Sequence, residues 1–277
     1  MTNITEKPEI KKAITEYCEV KAISRNELAA QIGVSGATLS NMVNDKWDNI
    51  DDRMWLRVFN YVRSDNAGKL YSTTDFNAVT NLCEQAKSKH YMSGLIADYG
   101  MGKTTALKAY ARNENVFYIY YDCNMKPKHF FYELGKQMGY EYDASVYDQV
   151  KKACDTLNTL VYPLIIVDES SKLSDAMLMT LHVLRDKTIN NCGLVLAGMP
   201  YFKNNLIKKA QKQKVGISEF LSRIMIWHEL EGLRSTEIEY ICQTNGITNK
   251  KVVSGLKTFK KFRDLSNEIL LHNTLSQ

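Results

Sequence analysis

The chain has 277 residues, 44% of them hydrophobic, and a formal net charge of +5. That length accommodates one large domain and a small one, and the mildly basic balance permits an anionic partner without establishing it. No apolar run approaches the ~18 residues of a membrane-spanning helix, and residues 1–12 lack the apolar segment of a secretory leader, so no membrane partner and a cytoplasmic location are expected. The six cysteines are scattered with no CxxC pair, which suits free thiols in a reducing compartment better than disulfides or a zinc site.

Residues 9–63 repeat apolar side chains at helical spacing: Ile10, Ile14 and Tyr17, then Leu28 and Ile32, then Leu39 and Val43. Within them, "ISRNELAAQIGVSGATLSNMVNDK" reads as a helix-turn-helix. Ser24 with Glu27 three residues on forms a capping box. Leu28, Ala29 and Ile32 face inward, and Gly33 ends the helix and permits the sharp turn. Ser35 caps the second helix, in which Ala37, Leu39, Met42 and Val43 divide between support and core. The small polar residues Ser35, Thr38, Ser40 and Asn41 suit entry into a DNA major groove. Such modules also serve protein contacts. There is little arginine here to hold phosphate, so binding by this part alone is expected to be weak and poorly sequence-specific.

The polar, turn-rich stretch "SDNAGKLYSTTD" separates this module from the rest of the chain. The boundaries are drawn at 1–64 for the DNA-binding module, 65–75 for the linker, 76–232 for a nucleotide-binding core and 233–277 for a helical tail. In the core, "MSGLIA", "NVFYIYY", "PLIIVD", "CGLVLAG" and "IMIWHEL" alternate with helical stretches, which predicts a five-stranded parallel sheet between helices.

The first of these strands runs into "ADYGMGKTTA". A strand, a tight glycine-containing loop and a helix opening at Thr104 form a phosphate-binding loop, whose inward N–H groups and helix N-terminus attract phosphate oxygens. Tyr99, Gly100, Met101, Gly102, Lys103, Thr104 and Thr105 make up the cradle. Lys103 reaches the terminal phosphates, and the Thr104 hydroxyl is offered to Mg²⁺. Ala97 occupies the place of the motif's first glycine. That position ends the strand and need not take a positive φ, so a methyl fits. "PLIIVDESSKL" supplies acids at the carboxyl end of another strand, where parallel sheets present ligands. Asp168 is assigned to Mg²⁺ and Glu169 to the attacking water. Acids ending a strand also serve as mere helix caps, but the spacing from the phosphate loop favours the catalytic reading.

This constellation resembles the AAA+ ATPases. The resemblance implies ATP as ligand with Mg²⁺, Arg223 before the last strand as an arginine entering a neighbouring subunit's site, and Arg263 in the tail as the lid arginine that senses nucleotide. Met199 stands where many such proteins place a polar sensor, and Ser170 where alanine is usual, which puts the hydrolysis rate in question. Arg223 as a plain salt-bridged arginine is the other reading.

A helix-turn-helix, a linker and a compact AAA+ core, in that order, together with "SGATLSNMVNDKW", "MGKT", "LIIVDES", "GLVLAG" and "FLSRI", resembles the phage Mu transposition protein B family. Broader kin are the ATPases of Tn7-like transposons and the helper ATPases of insertion sequences. The resemblance implies a bacterial or phage-encoded, nucleoid-associated protein. It implies a homo-oligomeric filament on double-stranded DNA, target capture without sequence preference, and delivery of the target to a DDE transposase. DNA contacts are then expected from Lys126 and Lys128 in "CNMKPKHFFYELGKQMG", which otherwise are solvated lysines flanking Pro127. Two alternatives stay open: a helix-turn-helix transcription regulator with an ATPase switch, and a replication-initiator or helicase-loader ATPase.

Overall fold

A computed structural model describes residues 7–275, apart from 22, 48–49, 52–53, 56, 59–60 and 63–69. The chain divides into two compact units, Met1–Tyr71 and Ser72–Gln277. Residues 65–69 of the expected linker lie outside the described residues.

The first unit is helical: α1 (Lys7–Lys21), α2 (Arg25–Ile32) and α3 (Gly36–Val43), with further helical residues between 54 and 62. Ser24 and Glu27 form the reciprocal cap: the Ser24 amide donates to Glu27 Oε2 at 2.7 Å and the Glu27 amide to Ser24 Oγ at 3.2 Å. Gly33 ends α2 with a left-handed φ of 72°. All the apolar residues picked out by helical spacing are buried, in one cluster closed by Trp55, Val58 and Val62. Trp47 meets Trp55 edge-on and donates from its indole nitrogen to the Met42 carbonyl, which ties the chain after α3 back onto that helix. Ala37 points outward, leaving Leu39, Met42 and Val43 as the inward face of α3.

The second unit opens with α4 (Thr74–Ser88), so Thr74 and Asp75 are helical although the sequence pattern assigns them to the linker. The five expected strands all form: β1 (Met92–Ile96), β2 (Val116–Tyr120), β3 (Leu164–Asp168), β4 (Gly193–Gly198) and β5 (Ile224–Glu229). They pair in parallel in the order β2-β3-β4-β1-β5. Between them lie α5 (Lys103–Tyr110), α6 (Pro127–Gln137), α7 (Val146–Leu157), α8 (Asp175–Lys187), α9 (Pro200–Gln211) and α10 (Ile217–Ser222). Three helices, α11 (Ser235–Thr244), α12 (Lys250–Leu256) and α13 (Phe262–Leu275), form the tail.

The central strands β1, β3 and β4 are buried throughout and read as largely apolar runs because both sheet faces are covered there. Successive side chains go to opposite sides. Ile165, Val167, Leu194 and Leu196 enter one core with α6, α7, α8, α9 and α10. Leu164, Ile166, Val195 and Ala197 enter the other, with Val79, Leu82 and Cys83 of α4 and Ala106 and Leu107 of α5. All six cysteines are free. Among the described residues no helix is long and apolar enough to cross a membrane.

Candidate active site

The candidate residues gather at the carboxyl ends of β1, β3 and β4. β1 ends at Ile96, and the loop to α5 turns at Gly100 (φ 76°) and Gly102 (φ 90°), a backbone region that costs a side-chain-bearing residue energy. At Gly100 there is also little room, since an added Cβ lies 3.0 Å from Arg263 Cβ. Ala97 keeps ordinary backbone geometry: it is buried, and its amide donates to the Gly198 carbonyl at the end of β4. Its methyl sits in the core cluster with Leu107 and Ala197, so the departure from the motif's first glycine is accommodated by packing.

Lys103 opens α5 and is 8% exposed. Its ammonium donates to the Ala97 carbonyl at 3.0 Å. Burial lowers its pKa, while the charges of Asp168, Glu169 and Asp98 pull the other way. Thr104 donates its hydroxyl to Asp168 Oδ2 at 2.7 Å. Asp168 is fully buried, and its carboxylate also takes the Tyr118 hydroxyl at 2.8 Å and the Glu169 amide at 2.8 Å. Glu169 holds a left-handed backbone (φ 59°), the strained type of position that collects at functional sites. Its Oε2 lies 3.1 Å from Lys172 Nζ, returned to it by the turn Ser170–Lys172. Ser170 is buried and donates to the Val167 carbonyl, so a serine is satisfied in the place of the usual alanine.

A cavity of about 380 Å³ gathers these groups. It is lined by all seven loop residues from Tyr99 to Thr105, by Glu169, by Met199, and by Phe262 and Arg263 from the start of α13. Thus the expected nucleotide-binding residues share one cavity, including the tail arginine. Met199 does line it, and its amide donates to Ser171 Oγ at 2.7 Å; the end of β4 offers an apolar thioether there, not a polar side chain. The Thr104 hydroxyl and the Asp168 carboxylate, in direct contact, are the hard oxygen donors that suit Mg²⁺, an ion usually held by one or two protein oxygens plus phosphate and water.

Arg223 stands apart. It precedes β5, whose first residue Ile224 pairs with Met92 at the start of β1. The phosphate loop begins after Ile96, roughly 13 Å further along the strand. Arg223 therefore lies at the opposite end of the sheet from its own cavity. Its Nε donates to Asp186 Oδ1 at 2.8 Å.

The expected DNA contacts also fall elsewhere. Lys126 directly precedes α6, makes no side-chain cap, and is exposed. Lys128 pairs with Asp143 at 2.7 Å and borders an open hollow with Asp122, Glu133 and His129, so its surroundings are acidic. In the first unit, Ser35 Oγ accepts the Thr38 amide and is 2.7 Å from Thr38 Oγ1, so these hydroxyls cap α3; Asn41 is exposed.

Tyr118, Asp98, Lys261, Lys172 and Phe262 escape a motif reading. For Tyr118 strand parity carries the signal: Tyr120 pairs with Asp168, and Tyr118, two residues earlier, shares its face.

Residues 86–206 match a family model described as an AAA domain. With the strand order and the loop between β1 and α5, this match makes the fold that of a P-loop AAA+ ATPase. Comparison with curated proteins found no match. Among solved structures, the Aeropyrum pernix Orc1 protein in complex with DNA is 15% identical, with a TM-score of 0.46 over 65% of this chain and 50% of that one. The Aeropyrum pernix ORC2 protein in its ADPNP–ADP complexes is 16% identical, with a TM-score of 0.48 over 66% and 55%. A Thermotoga maritima RuvB mutant is 18% identical, with a TM-score of 0.37 over 62% and 51%. The chain spans about half the length of these structures.

Proposed function

We propose that the protein is an ATPase that assembles on double-stranded DNA in its ATP state and leaves it after hydrolysis. The observation that carries this reading is the single cavity that brings Lys103, Thr104, Glu169 and Arg263 together beside the buried Asp168. In the proposed mechanism the loop amides and Lys103 hold the phosphates, with Arg263 added from α13. Thr104 and Asp168 hold Mg²⁺, which when bound neutralises charge on the phosphate oxygens. Glu169 accepts the proton of a water attacking the terminal phosphorus, ADP departs, and phosphate is released.

Arg223 acts, in this reading, on the cavity of a neighbouring copy. Its place at the far end of the sheet supports that assignment, since it is too distant to serve its own site. The helix-turn-helix unit, Lys126 and Lys128 are the proposed DNA contacts, and residues 233–277 the proposed lid. The sequence resemblance to the phage Mu transposition protein B family narrows the biology to transposition, with a DDE transposase as the partner that receives the captured DNA.

The test is DNA affinity by fluorescence anisotropy on several unrelated duplexes and on their separated single strands, with ATP, with ADP and without nucleotide. Tight binding to all duplexes with ATP only is expected. Selection of one duplex would move the reading to a transcription regulator, and a preference for single strands to a helicase loader. Insertion of transposon ends by the cognate transposase should rise with this protein and ATP; no rise would remove transposition.

A further inference from the structure

We propose that Asp98 and Lys261 form an ion-pair latch that holds the start of α13 against the phosphate loop and sets how long nucleotide stays bound. The inference rests on the nucleotide reading of the cavity and concerns the regulation of that site. Asp98 follows Ala97 in the phosphate loop, and Lys261 directly precedes α13. Lys261 Nζ lies 2.8 Å from Asp98 Oδ2 and 3.2 Å from the centre of the Tyr99 ring, so one ammonium meets a carboxylate and an aromatic face together. Asp98 Oδ1 meanwhile accepts the Tyr99 amide, which fixes the carboxylate's direction.

One further hydrogen bond joins the same segments. The Arg263 amide, a first-turn donor with no partner inside its own helix, donates to the Gly100 carbonyl at 2.9 Å. Gly100 has no Cβ to hold Arg263 away. Behind this segment, the Leu233 amide donates to the Lys260 carbonyl, and Gly232, at φ 89°, leaves room for that carbonyl. The tail is thus backed by the turn after β5 and fronted by the phosphate loop, and the ion pair is the charged part of the front contact. Pairing holds the Asp98 carboxyl below its ordinary pKa and the Lys261 amine above its own.

This segment brings Phe262 and Arg263 to the wall of the cavity. Nucleotide leaving the cavity passes the segment that the latch holds, so a weaker latch gives faster release. Both latch side chains reach the surface, so substitution spares the core.

The experiment loads the full-length protein with a fluorescent ATP analogue and Mg²⁺, then follows release in a stopped-flow chase with unlabelled ATP. Asp98→Asn and Lys261→Met should each release the analogue about three- to fivefold faster, the size expected of a partly exposed ion pair. The double variant should be no faster than Lys261→Met alone. Lys261→Arg should retain the wild-type rate. Raising salt should speed release from the wild type more than from the variants, in which only the charges on the phosphates remain to be screened. Wild-type rates in both single variants, or single effects that multiply in the double, would overturn the latch and leave the nucleotide site standing. A wild-type protein that binds no analogue would overturn the site and the latch with it.

Discussion

Asp168 is the residue on which the site turns. A carboxylate removed from water needs partners, and here the Thr104 and Tyr118 hydroxyls and the Glu169 amide supply them. Replacing Tyr118 by Phe deletes one of these and leaves ring packing intact. We expect magnesium-dependent nucleotide affinity to fall several-fold, with metal-free affinity unchanged, as checked by titration with and without Mg²⁺; equal losses in both would make Tyr118 a packing residue only. Binding and turnover should separate at two other positions. Lys103→Ala removes the buried cation and should abolish nucleotide binding. Glu169→Gln should bind normally and hydrolyse about 10²–10⁴-fold more slowly, the range for losing a general base. A Glu169→Gln protein with wild-type phosphate release would refute the assignment. The glutamate, lysine and threonine positions are legible in sequence because "MGKT" and "VDES" are local spellings of a site. Tyr118 and Lys261 are not, because they reach the site only through strand pairing and through the return of the tail.

At the scale of elements, the tail is anchored by a carboxylate in an unexpected place. Asp75, buried in the first turn of α4, accepts the amides of Glu231 and Gly232 after β5. Glu237 answers from α11 by accepting the Thr74 amide and hydroxyl. These bonds fasten both ends of the core together across more than half of the chain. Asp75→Ala leaves two amides without their acceptor, at a cost of about 2–4 kcal/mol. In a unit of this size the thermal midpoint should drop by roughly 4–16 °C, and calorimetry of the purified variant measures it; an unchanged midpoint would show that water replaces the carboxylate at no cost. All five strands are legible in sequence: β1, β3 and β4 are short apolar runs covered on both faces, and the edge strands β2 and β5 keep a mostly apolar stretch although part of each is exposed. Thr74 and Asp75 read as linker because a threonine-rich polar start looks the same in a loop and in a capped helix. Thr73 is in fact the cap, its hydroxyl accepting the Phe76 amide.

At the scale of the whole molecule, the proposed DNA contacts are sparse in any one copy. Lys128 sits among acids, so a single copy offers little phosphate-binding surface there. Many weak contacts along one duplex would add up in an array. The double variant Lys126→Ala, Lys128→Ala should flatten the log–log salt dependence of duplex binding by roughly 0.9 for each phosphate that it no longer neutralises; an unchanged slope would put the DNA track on another face. Arg223 and Lys103 belong, in this account, to different copies at each site. Neither Arg223→Ala nor Lys103→Ala should hydrolyse ATP alone, while a mixture should regain part of the activity, since some junctions then pair an intact loop with an intact arginine. A mixture that stays inactive although the two variants co-assemble would leave Arg223 as the structural partner of Asp186. The central claim, that the nucleotide in this cavity governs assembly on DNA, is tested most directly by electron microscopy of the Glu169→Gln protein with duplex DNA and Mg²⁺. Regular filaments with ATP and bare DNA with ADP are the predicted result; filaments that form equally with ATP, with ADP and with no nucleotide would contradict it.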